Sequence, residues 1–145
     1  MSVYADFEEN RVKHLEMIQA VISRLGTNSF LVKGWAVTVS GAFLGFAVAG
    51  KAWGLALAGL LPVVMFWYLD AYFLRAERFF RALHEAVRTG SPAMEPFVMA
   101  ATHLDFGESP PDTSWSDVPF SNTLFMFYGA LGLSGVIVLA AILIS

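Results

Sequence analysis

The sequence predicts an all-α integral membrane protein with three transmembrane helices, an N-terminal amphipathic cytoplasmic helix and a second helix that continues into the cytoplasm. Three observations carry this. The 145 residues are 57% hydrophobic and only 14% charged, whereas a soluble domain carries about 25% charged residues. Three apolar runs reach the roughly 20 residues needed to cross a hydrocarbon core of about 30 Å. The stretch from Pro62 to Arg88 passes without a break from an apolar run into an aromatic, charge-laced helix, as a span leaving a bilayer would. The expected organisation is an amphipathic helix and turn over residues 1–29, a transmembrane hairpin over 30–74, a cytoplasmic helix extension and loop over 75–122, and a third span over 123–145.

In the first segment Tyr4, Phe7, Leu15, Ile18, Val21, Ile22 and Leu25 recur at helical spacing, with Glu8, Glu9, Arg11, Lys13, Glu16 and Arg24 between them. Leu15, Ile18, Ile22 and Leu25 step by three and four. That stripe fits either a seam between subunits or packing on the chain's own second helix or on lipid headgroups. Gly26 is expected to end this helix, and Thr27, Asn28 and Ser29 to turn the chain and cap the next one.

The first span is expected over Phe30–Ala49, with Lys33 as its only charge. Ala47-Val48-Ala49 resembles a signal-peptide cleavage site, but the preceding segment is too long and acidic, and another span follows at once. Gly41, Gly45 and Ala49 form a small-residue groove, expected to seat the second span or to serve contacts between subunits. Gly50, Lys51 and Gly54 mark a tight hairpin, and Gly50, Gly54 and Ala58 repeat the small-residue spacing on the other arm. Pro62 removes one backbone hydrogen bond from the second span and is expected to bend it, as a fixed kink or as a hinge.

Lys33 lies 18 residues before Lys51 and Asp70 lies 19 after it, so an antiparallel hairpin places them at nearly one level. They are expected to pair. Asp70, between Trp67, Tyr68 and Tyr72, is either a carboxylate that locks the hairpin or one that gates an ion path. Beyond it, Glu77, Arg81, Glu85 and Arg88 alternate in sign on one helical face, which suits solvent. Arg75 and Arg78 sit to one side, where they would anchor at lipid phosphates or hold an anionic ligand.

Residues Thr89–Asn122 form the polar excursion. Ser91-Pro92 can open a short helix, and Phe97, Val98, Met99, Phe106, Trp115 and Phe120 are expected to dock on the first two helices. His103, Asp105 and Glu108 lack the spacing of a metal site. Ser121 or Asn122 is expected to cap the last span, Leu124–Ile144, which is uncharged and carries Tyr128 near its start and Gly129, Gly132 and Gly135 at steps of three. A pore lined by such a helix would gate by an apolar constriction.

The distribution of basic residues places the N-terminus in the cytoplasm and the hairpin turn and C-terminus outside. A formal charge of −3 gives no reason to expect a nucleic-acid partner. The absence of cysteine excludes disulfides and thiolate chemistry. No paired carboxylates, activated nucleophile or ligand set occurs at workable spacing, so neither an enzyme nor a cofactor is expected.

The runs IQAVISRLGTNSFLVKGWAVTV, from Ile18 to Val39, and FWYLDAYFLRAERFFRALHEAVR, from Phe66 to Arg88, together with Phe127-Tyr128-Gly129, resemble a widespread group of small, largely uncharacterised bacterial multi-pass membrane proteins. The layout is similar, by architecture, to the SLATT-like transmembrane effectors of phage-defence systems. The Leu15–Leu25 seam, Pro62 and the glycine-rich last span lead us to expect a homo-oligomeric inner-membrane channel or membrane-disrupting effector, surrounded by the lipid bilayer. The other reading is a membrane anchor or adaptor that docks a cytoplasmic partner protein.

Overall fold

The computed structural model describes residues 3–89, 99 and 113–144, with side chains from residue 9 onward. The described residues form three helices: α1 (Val3–Gly50), α2 (Trp53–Arg88) and α3 (Asn122–Ile144). Each contains a stretch long and apolar enough to cross a membrane. At 1.5 Å per residue they extend roughly 70, 55 and 35 Å, so α1 and α2 are far longer than a bilayer is thick.

The turn expected at Gly26–Ser29 is not there. α1 runs through it unbroken, and the Thr27 hydroxyl donates to the Ser23 carbonyl at 3.0 Å, the bond a helical threonine makes one turn back. A mid-helix glycine costs about 1 kcal/mol relative to alanine. Contacts on both sides of Gly26 outweigh that cost: Ile18 and Ile22 are buried with Leu83 and Val87 of α2, and Ser29 and Lys33 are fastened to Asp70. The Ile18/Ile22 stripe is thus used within the chain.

The hairpin forms where the glycines predict it. Lys51 N–H donates to Val48 at 3.4 Å and Ala52 N–H to Ala47 at 3.0 Å, the paired bonds of a Schellman ending. Lys51, with φ 49°, takes the left-handed position that glycine usually fills, because Gly50 falls one residue early. α2 then continues through Pro62 as one helix.

α2 is the central element. α1 packs along most of it, whereas α3 packs mainly on α2 and meets α1 at few positions. Tyr128 reaches Asp70 and Gly135 lies against Leu60, so α3 runs antiparallel to α2. Two cores follow from this arrangement. One holds Ile18, Ile22, Leu83 and Val87, flanked by Leu15, Phe80 and Met99. The other holds Ala36, Val63, Ala71, Val118, Leu124 and Tyr128.

Of the two roles expected for the Gly41, Gly45 and Ala49 groove, seating the second span is not the one it takes within the chain. Gly41, Gly45 and Ala49 are exposed, and Gly41 and Gly45 have open space where a side chain would stand, as does Gly54. α1 instead turns Ala36, Ser40 and Ala47 inward, and the close approach is made by Gly59, whose added Cβ would lie 2.9 Å from the Cβ of Phe43. A four-residue spacing fixes which residues share a face but not which way that face points. Gly59→Ala is therefore expected to cost about 1–3 kcal/mol by overpacking. Gly41→Ala should be neutral or stabilising by up to about 1 kcal/mol. Denaturation of the purified variants in detergent, followed by circular dichroism, checks the pair. Equal effects would refute this placement.

Candidate functional site

The site is built around one carboxylate. Asp70 projects from α2 into the meeting point of all three helices and is fully buried. Lys33 of α1 lies one arm across at the level the hairpin arithmetic predicts, with its Nζ 2.5 Å from Asp70 Oδ2. Ser29, one turn before Lys33, donates its hydroxyl to Asp70 Oδ1 and accepts a hydrogen bond from Lys33 Nζ at 2.8 Å. Tyr128 of α3, itself buried, donates its hydroxyl to Asp70 Oδ2 at 3.2 Å. One ion pair and two neutral donors thus satisfy both carboxylate oxygens, which is the condition under which a buried charge is tolerated.

Sequence reasoning found the charged pair and missed its two hydroxyls. Ser29 was expected to cap a helix that in fact does not start there. Its position four residues before Lys33 was the available signal, since residues at that spacing share a face. Tyr128 belongs to the last helix, and nothing local ties it to Asp70.

A second set of contacts straps residues 113–121 across α2. The Arg75 Nε–H donates to the buried Thr113 carbonyl at 2.8 Å, and the guanidinium lies 4.8 Å from the Trp115 ring and 5.1 Å from that of Phe79. Trp115 stacks on Tyr68 at 5.4 Å with the planes 6° apart. Trp67 donates Nε1–H to Pro119 at 2.9 Å and meets Phe120 edge to face. Arg75, expected at lipid phosphates, holds the chain's own backbone through Nε–H. Its planar fork is well suited to combining a carbonyl bond with aromatic stacking. Arg78 is half-buried and engaged as well. The expected docking of Trp115 and Phe120 on the second helix is present. Phe97, Val98 and Phe106, the helix at Ser91-Pro92, and His103, Asp105 and Glu108 lie outside the described residues, as do the Tyr4, Phe7 and Glu8 side chains.

Along the rest of α2 the charges pair locally. Arg81 forks onto Glu77 at 2.6 and 2.9 Å, and Arg88 onto Glu85 at 2.5 and 2.8 Å. The arginine ends of both pairs are exposed and mark a solvated face. Gly41 and Gly45 stand on the outer face of α1, and Pro62 is half-buried within α2, two turns from Asp70.

Among the described residues the arrangement is a polar knot that ties three helices at one level. Comparison with known proteins finds no match among family models, curated proteins or solved structures.

Proposed function

We propose that this chain is a homo-oligomeric protein of the bacterial inner membrane, a channel or membrane-disrupting effector of a defence or signalling system. In this reading the α1–α2 extension lies in the cytoplasm and the C-terminus outside. One observation carries it: α1 and α2 run unbroken from the charged extension into their apolar halves, and the Asp70 knot sits at the join. A displacement of the extension then passes directly into the apolar helices, and through Asp70 to Tyr128 it reaches α3. Several copies are needed because three packed helices cannot enclose an aqueous lumen. Only 22%, 22% and 11% of the three apolar windows are buried within one chain, which leaves wide faces for lipid and neighbouring subunits. Gly41 and Gly45 on the outer face of α1 are where a neighbouring helix can come closest.

Native mass spectrometry of the protein in nanodiscs, with ion flux from proteoliposomes, tests this reading. The expected result is a closed ring, a lower subunit number for Gly41→Leu/Gly45→Leu with unchanged melting of the protomer, and altered flux for Asp70→Asn with assembly intact. A monomer or dimer without flux would overturn it in favour of the anchor or adaptor.

A further inference from the structure

Between α2 and α3 the molecule leaves a groove of about 380 Å³, lined by Val64, Trp67, Phe125, Gly129, Gly132 and Val136 among others. Its existence follows from how α3 is held. Tyr128 pins α3 at Asp70 and Gly135 pins it against Leu60, while Gly129 and Gly132 present no side chains to fill the space between. On α3 the groove runs from Phe125 to Val136, roughly 16 Å at 1.5 Å per residue. That is about half of a hydrocarbon core, the depth of a single leaflet.

The mouth of the groove has a distinct charge. The Phe125 N–H closes the first turn of α3 onto the Ser121 carbonyl at 2.9 Å, so the groove opens within one turn of that helix's positive end. The Ser121 hydroxyl, in the capping position, is buried and makes no hydrogen bond among the described residues. There is no acidic residue in the first turn, and Asn122 and Thr123 are exposed. Asp117, the nearest preceding acid in sequence, accepts from the Ser116 hydroxyl at 3.2 Å. An apolar slot one leaflet deep, headed by a helix end that favours anions, is complementary to a molecule with a hydrocarbon chain and a phosphate.

We propose that the α2–α3 groove binds one membrane phospholipid, an acyl chain lying along Gly129 and Gly132 and the phosphate at the N-terminal end of α3. The proposal rests on the membrane location given above and not on the channel.

Trp67 lines the groove and reports on it directly. A Trp35→Phe/Trp53→Phe/Trp115→Phe protein in dodecyl maltoside is titrated with phosphatidylglycerol carrying brominated chains. Quenching of Trp67 should saturate at one lipid per protomer. Brominated diacylglycerol, which lacks the phosphate, should bind about two- to fivefold more weakly. Adding Gly129→Leu/Gly132→Leu, which fills the slot, should abolish the saturable quenching, and adding Ala42→Leu, at an exposed position of α1, should leave it. Quenching that rises linearly without saturation would overturn the site, and so would an unaffected filled-groove variant. Absent quenching together with a lower subunit number for that variant would assign the groove to a second copy of the chain. Equal binding of diacylglycerol would refute the phosphate contact. Should the filled variant not fold, saturation in the unfilled protein still decides. A chain that remains in solution without detergent refutes the membrane location itself, separately from the site.

Discussion

Replacing Asp70 by alanine is expected to destabilise the protein by about 3–5 kcal/mol, the cost of leaving one partner of a buried ion pair without the other. Lys33 would keep its charge in a site where Asp70 is fully shielded and Lys33 itself is only 20% exposed. The hydroxyls of Ser29 and Tyr128 would lose their acceptor in the same step. Asp70→Asn retains an acceptor and sheds the charge, so it should cost less, about 1–3 kcal/mol. Tyr128→Phe removes one neutral donor and should cost about 1 kcal/mol. The order separates a knot from a surface bridge, for which all three changes would fall near 0–1 kcal/mol. Unfolding in mixed micelles of dodecyl maltoside and increasing SDS measures it. An alanine variant within 1 kcal/mol of wild type would show that water reaches Asp70 and that the knot is not what joins the helices.

Leu83→Ala is expected to cost about 2–5 kcal/mol, the range for a large aliphatic side chain removed from a closed core. Its effect should be local. Leu83 is fully buried with Ile18, Ile22 and Val87 at the charged end of the hairpin, while Ala36, Val63 and Leu124 form a separate core on the other side of the Asp70 knot. Hydrogen exchange should therefore rise in residues 9–25 and 77–88 and stay low in 32–48. Met17→Ala, at an exposed position of α1, should change stability by less than about 0.5 kcal/mol. Uniform loss of protection along α1 would mean that the two cores melt as one unit. That result would remove the extension as an independently movable lever.

These two experiments fall on either side of the point where sequence reasoning held and where it failed. The Lys33–Asp70 pair was legible because a tight hairpin at Lys51 converts sequence distance into depth, and equal depth on antiparallel arms means contact. Ser29 and Tyr128 were not legible, because a hydroxyl carries no charge signal and Tyr128 reaches Asp70 across 58 residues. Gly26 followed by Thr27, Asn28 and Ser29 is a strong local signal for a helix end, yet the helix continues. Local propensity there is worth about 1 kcal/mol, and the packing of Ile22 below and Lys33 above exceeds it. The Arg75–Thr113 bond was not legible for a related reason: a cation near aromatic residues fits a lipid phosphate as well as it fits a backbone carbonyl that a distant segment brings to it.

The sequence by itself determined that there are three helices long and apolar enough to cross a membrane, where the hairpin turns, which charges face each other across it, and which residues share each helical face. Those properties follow from hydrophobic length, from helical period and from the turn chemistry of a few residues, all of which are local. Only the tertiary structure decided that α1 is one helix, that Gly59 rather than Gly41 and Gly45 seats the hairpin, that two hydroxyls complete the Asp70 knot, and that α3 stands away from α2 to leave a groove. Each of these depends on which faces meet, and that is set by the sum of contacts along the whole length of α2.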